Sequence, residues 1–222
     1  QAPLEIKRKP DRVIDAPAPA PSRIAACLAL VQTDPASAVE QAEVWRDGAA
    51  GSARTEPGHC LGVALTRLGQ FAEAEAALLA AREDTAANER ANKARLGTMA
   101  ANAALAAGSP DRALAALDIA HGDALGAGNA NLAGEISIDR ARALVALKRE
   151  NDAAAALAEA RSAAPENAAG WLLSATLARR QGKLAEAQAQ IETAAQLLPI
   201  DPEIGLEAGV IAALSGRDEA AR

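Results

Sequence analysis

Residues Asn167–Pro199 read NAAGWLLSATLARRQGKLAEAQAQIETAAQLLP. An apolar segment that opens at Trp171 runs at helical spacing to Gly182, and beyond it Leu184, Ala187, Ile191 and Ala194 mark one face of a second helix that Pro199 stops. The stretch therefore encodes two helices joined by a glycine turn. A second copy of the arrangement spans Gly58 to Ala81. There Leu61, Gly62 and Leu65 line the first helix, Gly69 turns the chain, and Phe71, Ala74, Leu78 and Ala81 face inward.

Working outward, the turn recurs. Gly216 follows Gly182 by 34 residues and Lys148 precedes it by 34, so this half of the chain is regular, although the unit around Lys148 lacks the turn glycine. Upstream the spacing widens to 39 between Gly69 and Gly108 and 40 between Gly108 and Lys148, so helices or loops there carry about one extra turn, part of it absorbed by the linker Gly122–Gly134. The third unit rests on Gly108, Pro110, Ala113, Leu117 and Ala120. The fourth uses Leu144, Ala153, Leu157, Ala160 and Pro165. The first, weakest, is built on Cys27, Leu30, Ala38, Ala42 and Trp45. Ala74, Ala113, Ala153 and Ala187 fall where the two helices of a hairpin must cross closely.

Composition agrees with this reading. Half of the 222 residues are hydrophobic but only 1% are aromatic, and β-branched residues are few, so the core must be alanine and leucine between helices. Each such contact buries little area, and stability has to come from repeating one interface. The net charge of -6, with no basic stripe, disfavours nucleic acid and anionic membranes as ligands. No apolar run is long enough to span a bilayer.

The repeating pattern resembles the tetratricopeptide repeat (TPR), in which an aromatic, a Leu-Gly pair, an alanine and a closing proline recur with a period of about 34 residues. The resemblance covers residues 23–222 and is strongest in the second and fifth units. It implies an all-α solenoid, a right-handed superhelix of five helical hairpins and a partial sixth, occupying residues 22–222. It also implies that the first helices of successive units line a concave groove for a protein or peptide. The groove-facing set is His59, Val63, Thr66, Arg67, Arg95, Thr98, Asn102, Ile138, Arg142, Leu172, Thr176, Arg179 and Arg180. Its five arginines, against Glu135 and Asp139, suit an acidic or carboxylate-ended segment, or else they pair with carboxylates on neighbouring helices. The family's carboxylate clamp is not matched, because its Lys and Asn pairs are not in place.

Residues 1–21 read as a disordered arm, broken by Pro3, Pro10, Pro17, Pro19 and Pro21, with Lys7, Arg8 and Lys9 as solvated charge or part of a tether. At the other end Asp218–Ala221 look like the opening of a further helix, a truncated repeat. Ile204, Leu206, Val210, Ile211 and Leu214 would then lack cover, and assembly through this last helix, in a homodimer or with a membrane-anchored partner, is the alternative role.

No catalytic constellation is expected. His121 reads as a helix-end histidine before Gly122, Gly122–Gly134 as a flexible connector, and Glu73 and Glu75 as solvated carboxylates rather than an acid and base pair. His59 adjoins Cys60, but no further ligands at metal-site spacing accompany them, and no cofactor or metal is called for. The two cysteines, Cys27 and Cys60, are placed about three residues out of register on adjacent parallel helices, a geometry that permits a disulfide without requiring it. An even cysteine count and a chain opening on Gln1 fit a periplasmic or secreted protein of a bacterium whose signal peptide has been removed; a cytoplasmic location is the alternative.

Overall fold

The computed structural model describes residues 21–216; the N-terminal arm and the start of the expected second helix of the last unit lie outside them. Eleven α-helices follow in order, with no strand among the described residues: α1 (Arg23–Thr33), α2 (Pro35–Asp47), α3 (Thr55–Arg67), α4 (Phe71–Asp84), α5 (Arg90–Ala106), α6 (Pro110–Gly126), α7 (Ala130–Ala146), α8 (Glu150–Ala163), α9 (Ala168–Arg180), α10 (Leu184–Leu197) and α11 (Pro202–Leu214). A single 3-10 turn, Gly51–Arg54, precedes α3. These are five hairpins and the first helix of a sixth.

Local chemistry sets the helix ends. Asp34 caps α2 by accepting from the Ser37 amide, and Asp201 caps α11 by accepting from Glu203 and Ile204; in both helices proline follows, where its missing N–H leaves no bond unmade. The turns inside hairpins two to five share one device. The residue at 69, 108, 148 or 182 takes positive φ, and the next amide reaches back five residues, as in Gln70 N to Leu65 O at 3.0 Å and Lys183 N to Ala178 O at 2.9 Å. Lys148 adopts this conformation at φ 60 without being glycine. The missing turn glycine of the fourth unit thus changes the residue and leaves the turn intact.

The wider upstream spacing comes from helix length. α5, α6 and α7 each run 17 residues, against 13 for α3 and α9. The segment expected to be a flexible connector is therefore mostly helix: α6 continues through Gly122 to Gly126, and α7 begins at Ala130. Its glycines do not break α6 because the hairpin partner α5, equally long, packs along it.

Packing is between near neighbours. Each helix lies against the helices before and after it, and the odd-numbered helices also touch along a row, α1 to α3, α3 to α5 and so on to α11. Even-numbered helices meet through long side chains, such as Arg82 of α4 on Asp123 of α6 at 2.5 Å and Arg112 of α6 on Glu75 of α4 at 3.1 Å. Close approach on one side and splaying on the other curve the row, with odd helices inside. Glu75 is buried in that contact, so the reading of Glu73 and Glu75 as a solvated pair holds for Glu73 alone.

Small residues permit the spacing. Ala74, Ala113, Ala153 and Ala187 are fully buried, and a Cβ on Gly62 would stand 2.6 Å from Leu78 Cδ2. The first hairpin is the leanest: its buried side chains are Cys27, Val31, Ala38 and Ala42. Cys27 of α1 is joined to Cys60 of α3 in a disulfide, with Cα atoms 6.2 Å apart, which fastens that hairpin to the second.

Candidate binding groove

Counting back from the left-handed turn residue gives each inner helix the same register. Ten residues before it stand His59, Thr98, Ile138 and Leu172; six before it stand Val63, Asn102, Arg142 and Thr176. Helical spacing puts both rows on one face of α3, α5, α7 and α9. Thr66, Thr98 and Thr176 each turn their hydroxyl back to the carbonyl four residues earlier, at 2.8, 2.9 and 3.0 Å, so they present methyl groups more than donors.

One member of the expected set does not face a ligand. Ile138 is only 4% exposed, and its Cδ1 would stand 3.5 Å from a Cβ at Gly170 of α9, so it packs between α7 and α9. The burial comes from α9, which packs against α7 at this position.

The five arginines divide. Arg179 makes a two-pronged ion pair with Glu207 of α11, at 2.6 and 3.2 Å, and is only about a quarter exposed, so it ties α9 to α11. Arg142 bonds Asp139 one turn back on α7, whose other oxygen accepts from Asn102 of α5 at 3.3 Å. Arg180 reaches Glu150 of α8 at 3.1 Å. Both Arg142 and Arg180 use a single nitrogen in these contacts and stay about half exposed, at 50% and 48%. Arg67 and Arg95 are exposed and have no ion-pair partner among the described residues.

His59 is half-buried on α3. Burial pushes its pKa below the usual histidine value, and Glu56 one turn away offsets part of that. Among the described residues no cluster of three His, Cys, Asp or Glu side chains could hold a metal. His121 does not end a helix: it lies inside α6 with Nε2 2.9 Å from Glu159 of α8, and Arg140 of α7 bonds both Glu159 and Asp118. This charged network links three helices away from the inner row.

A cleft of about 190 Å³ opens between α7 and α9, lined by Ala141, Arg142, Val145, Leu157, Leu173, Thr176, Leu177 and Arg180. Its apolar floor was not legible in the groove set. Leu157 comes from α8 and Leu173 and Leu177 from the flank of α9, so helical register on one helix does not reveal their meeting. Val145 occupies the register of Thr66, three residues before the turn, and that equivalence was the one available signal.

The fold is that of the tetratricopeptide-repeat proteins. No family model matches the sequence, and no curated protein does. The chain is similar to the crystal structure of BtubC from P. vanneervenii, with TM-score 0.68 and 16% identity over 90% of this chain and 87% of that one. It is similar also to Pseudomonas aeruginosa pilF, with TM-score 0.68 and 15% identity over 89% and 85%. YrrB, described as a TPR protein with an unusual peptide-binding site, gives TM-score 0.52 and 21% identity over 74% of this chain and 79% of that one.

Proposed function

We propose that this protein is a non-enzymatic scaffold that holds an extended segment of another protein in the concave groove lined by α3, α5, α7 and α9. The observation that supports the reading is the row of odd-numbered helices in contact with one another, on one face of which the two registers counted back from the turn residues fall. Shape and exposure together favour a ligand that is itself extended. An acidic segment suits the exposed arginines Arg67, Arg95, Arg142 and Arg180. To test this, a photo-crosslinking residue is placed at Asn102 in the groove or at Asp118 on the outer face, and the full chain is exposed to extract of its native host. A discrete adduct from Asn102 alone is expected; equal labelling from both positions would refute groove binding.

A second reading, assembly into a homodimer, is favoured by α11, where Leu206, Val210 and Leu214 lie one turn apart and are 72%, 37% and 57% exposed. Ile204 and Ile211, by contrast, are buried against the preceding hairpin. Light scattering should then show a dimer that Val210→Asp dissolves, and a monomer at high concentration would end the idea. The Cys27–Cys60 disulfide supports an oxidising compartment, periplasmic or extracellular. Finding both thiols alkylatable in protein taken directly from cells would argue for the cytoplasm.

A further inference from the structure

We infer that the cleft between α7 and α9 is a pocket for one branched aliphatic side chain of an acidic, extended partner segment, with Arg142 and Arg180 receiving carboxylates on either side of that side chain. The inference rests on the groove reading and narrows it to one place and one chemistry. Size is the first argument. At about 190 Å³ the cleft falls below the roughly 300–1,000 Å³ of small-molecule sites and is suited to a single side chain. Lining is the second. Ala141, Val145, Leu157, Leu173 and Leu177 supply hydrocarbon from three helices, and the one hydroxyl on the wall, Thr176, already donates to the Leu172 carbonyl. An uncharged polar side chain on the apolar floor would lose water without gaining a partner there, whereas a leucine or isoleucine would bury apolar surface.

Charge is the third argument. Arg142 and Arg180 both line this cleft, each holds its intramolecular carboxylate through one nitrogen, and each keeps further N–H donors toward solvent. Basic partners would meet two guanidinium groups and be repelled. Carboxylates would gain charge-assisted hydrogen bonds without displacing Asp139 or Glu150. Arg179, adjacent in sequence, is committed to Glu207 and takes no part.

The test is selection of a random twelve-residue peptide library displayed on phage against the immobilised full chain, followed by fluorescence-polarisation titration of the enriched peptide. An enriched sequence with a Leu, Ile or Val flanked within two positions by Asp or Glu is expected, losing more than tenfold in affinity on Thr176→Trp, which plugs the cleft. Arg180→Glu, an exposed change, should give a comparable loss with unchanged helicity and guards against misfolding of the plugged variant. Enriched peptides without that pattern, or an affinity for both variants within twofold of the parent, would overturn the inference. Loss on Asn102→Trp in place of Thr176→Trp would overturn it while leaving groove binding intact, and failure to enrich any peptide would overturn it as well.

Discussion

Reducing the Cys27–Cys60 bridge should loosen the first hairpin more than any other part of the solenoid. The bridge closes a loop of 33 residues in sequence separation. On the chain-entropy relation such a crosslink stabilises the fold by about 3.7 kcal/mol at 25 °C. Against this, α1 and α2 bury only Cys27, Val31, Ala38 and Ala42, three of them small, so little apolar area remains to hold the hairpin once the crosslink is gone. If the whole chain melted as one unit, the loss would correspond to a fall in Tm of about 7–15 °C. A row of nearest-neighbour contacts allows the terminal hairpin to open by itself, so the effect concentrates there. The assay is thermal unfolding with and without a phosphine reductant, paired with amide exchange. Reduced protein, and the Cys27→Ala/Cys60→Ala variant, should lose protection over residues 23–47 while residues 110–197 stay protected. Unchanged protection over residues 23–47 on reduction, or protection lost evenly along the chain, would refute the reasoning.

Three further outcomes are expected. Ala187→Leu, at a fully buried crossing of α9 and α10, should destabilise by about 1–3 kcal/mol in a urea titration, because the added carbons force two packed helices apart. Lys148→Gly should raise the unfolding free energy from a urea titration by about 1 kcal/mol, since the turn holds a side-chain-bearing residue at φ 60, and a lower value would show that the lysine side chain contributes more than its backbone costs. His59 has a lowered pKa in the fold, so the unfolded chain binds its proton first. Stability is complete above the ordinary value of 6.5 and declines as pH falls from there toward the lowered folded value; His59→Gln should flatten that part of the stability profile.

Much of this molecule was legible in its sequence because repeats make local signals count several times. Glycine at 69, 108 and 182 announces hairpin turns because it takes positive φ at least cost, and alanine at 74, 113, 153 and 187 announces close crossings because a larger side chain would hold the helices apart. Lys148 shows that the repeat can impose a turn even where the local preference is against it. Errors arose where one residue's fate depends on another element. Ile138 is buried because α9 of the next hairpin packs against α7 there, and Glu75 is buried in its contact with Arg112 of α6. His121 lies mid-helix because α5 and α6 are equally long partners.

The sequence by itself determined the all-helical class and the count and period of hairpins, because helix boundaries and turns follow from local spacing and composition repeated along the chain. Tertiary structure decided which arginines remain available and where the groove deepens. Arg179 and Arg180 are neighbours of identical chemistry in sequence, and only the position of Glu207 on α11 commits the first and leaves the second at the cleft. Ion pairing and cavity formation depend on distances between helices that no single helix encodes.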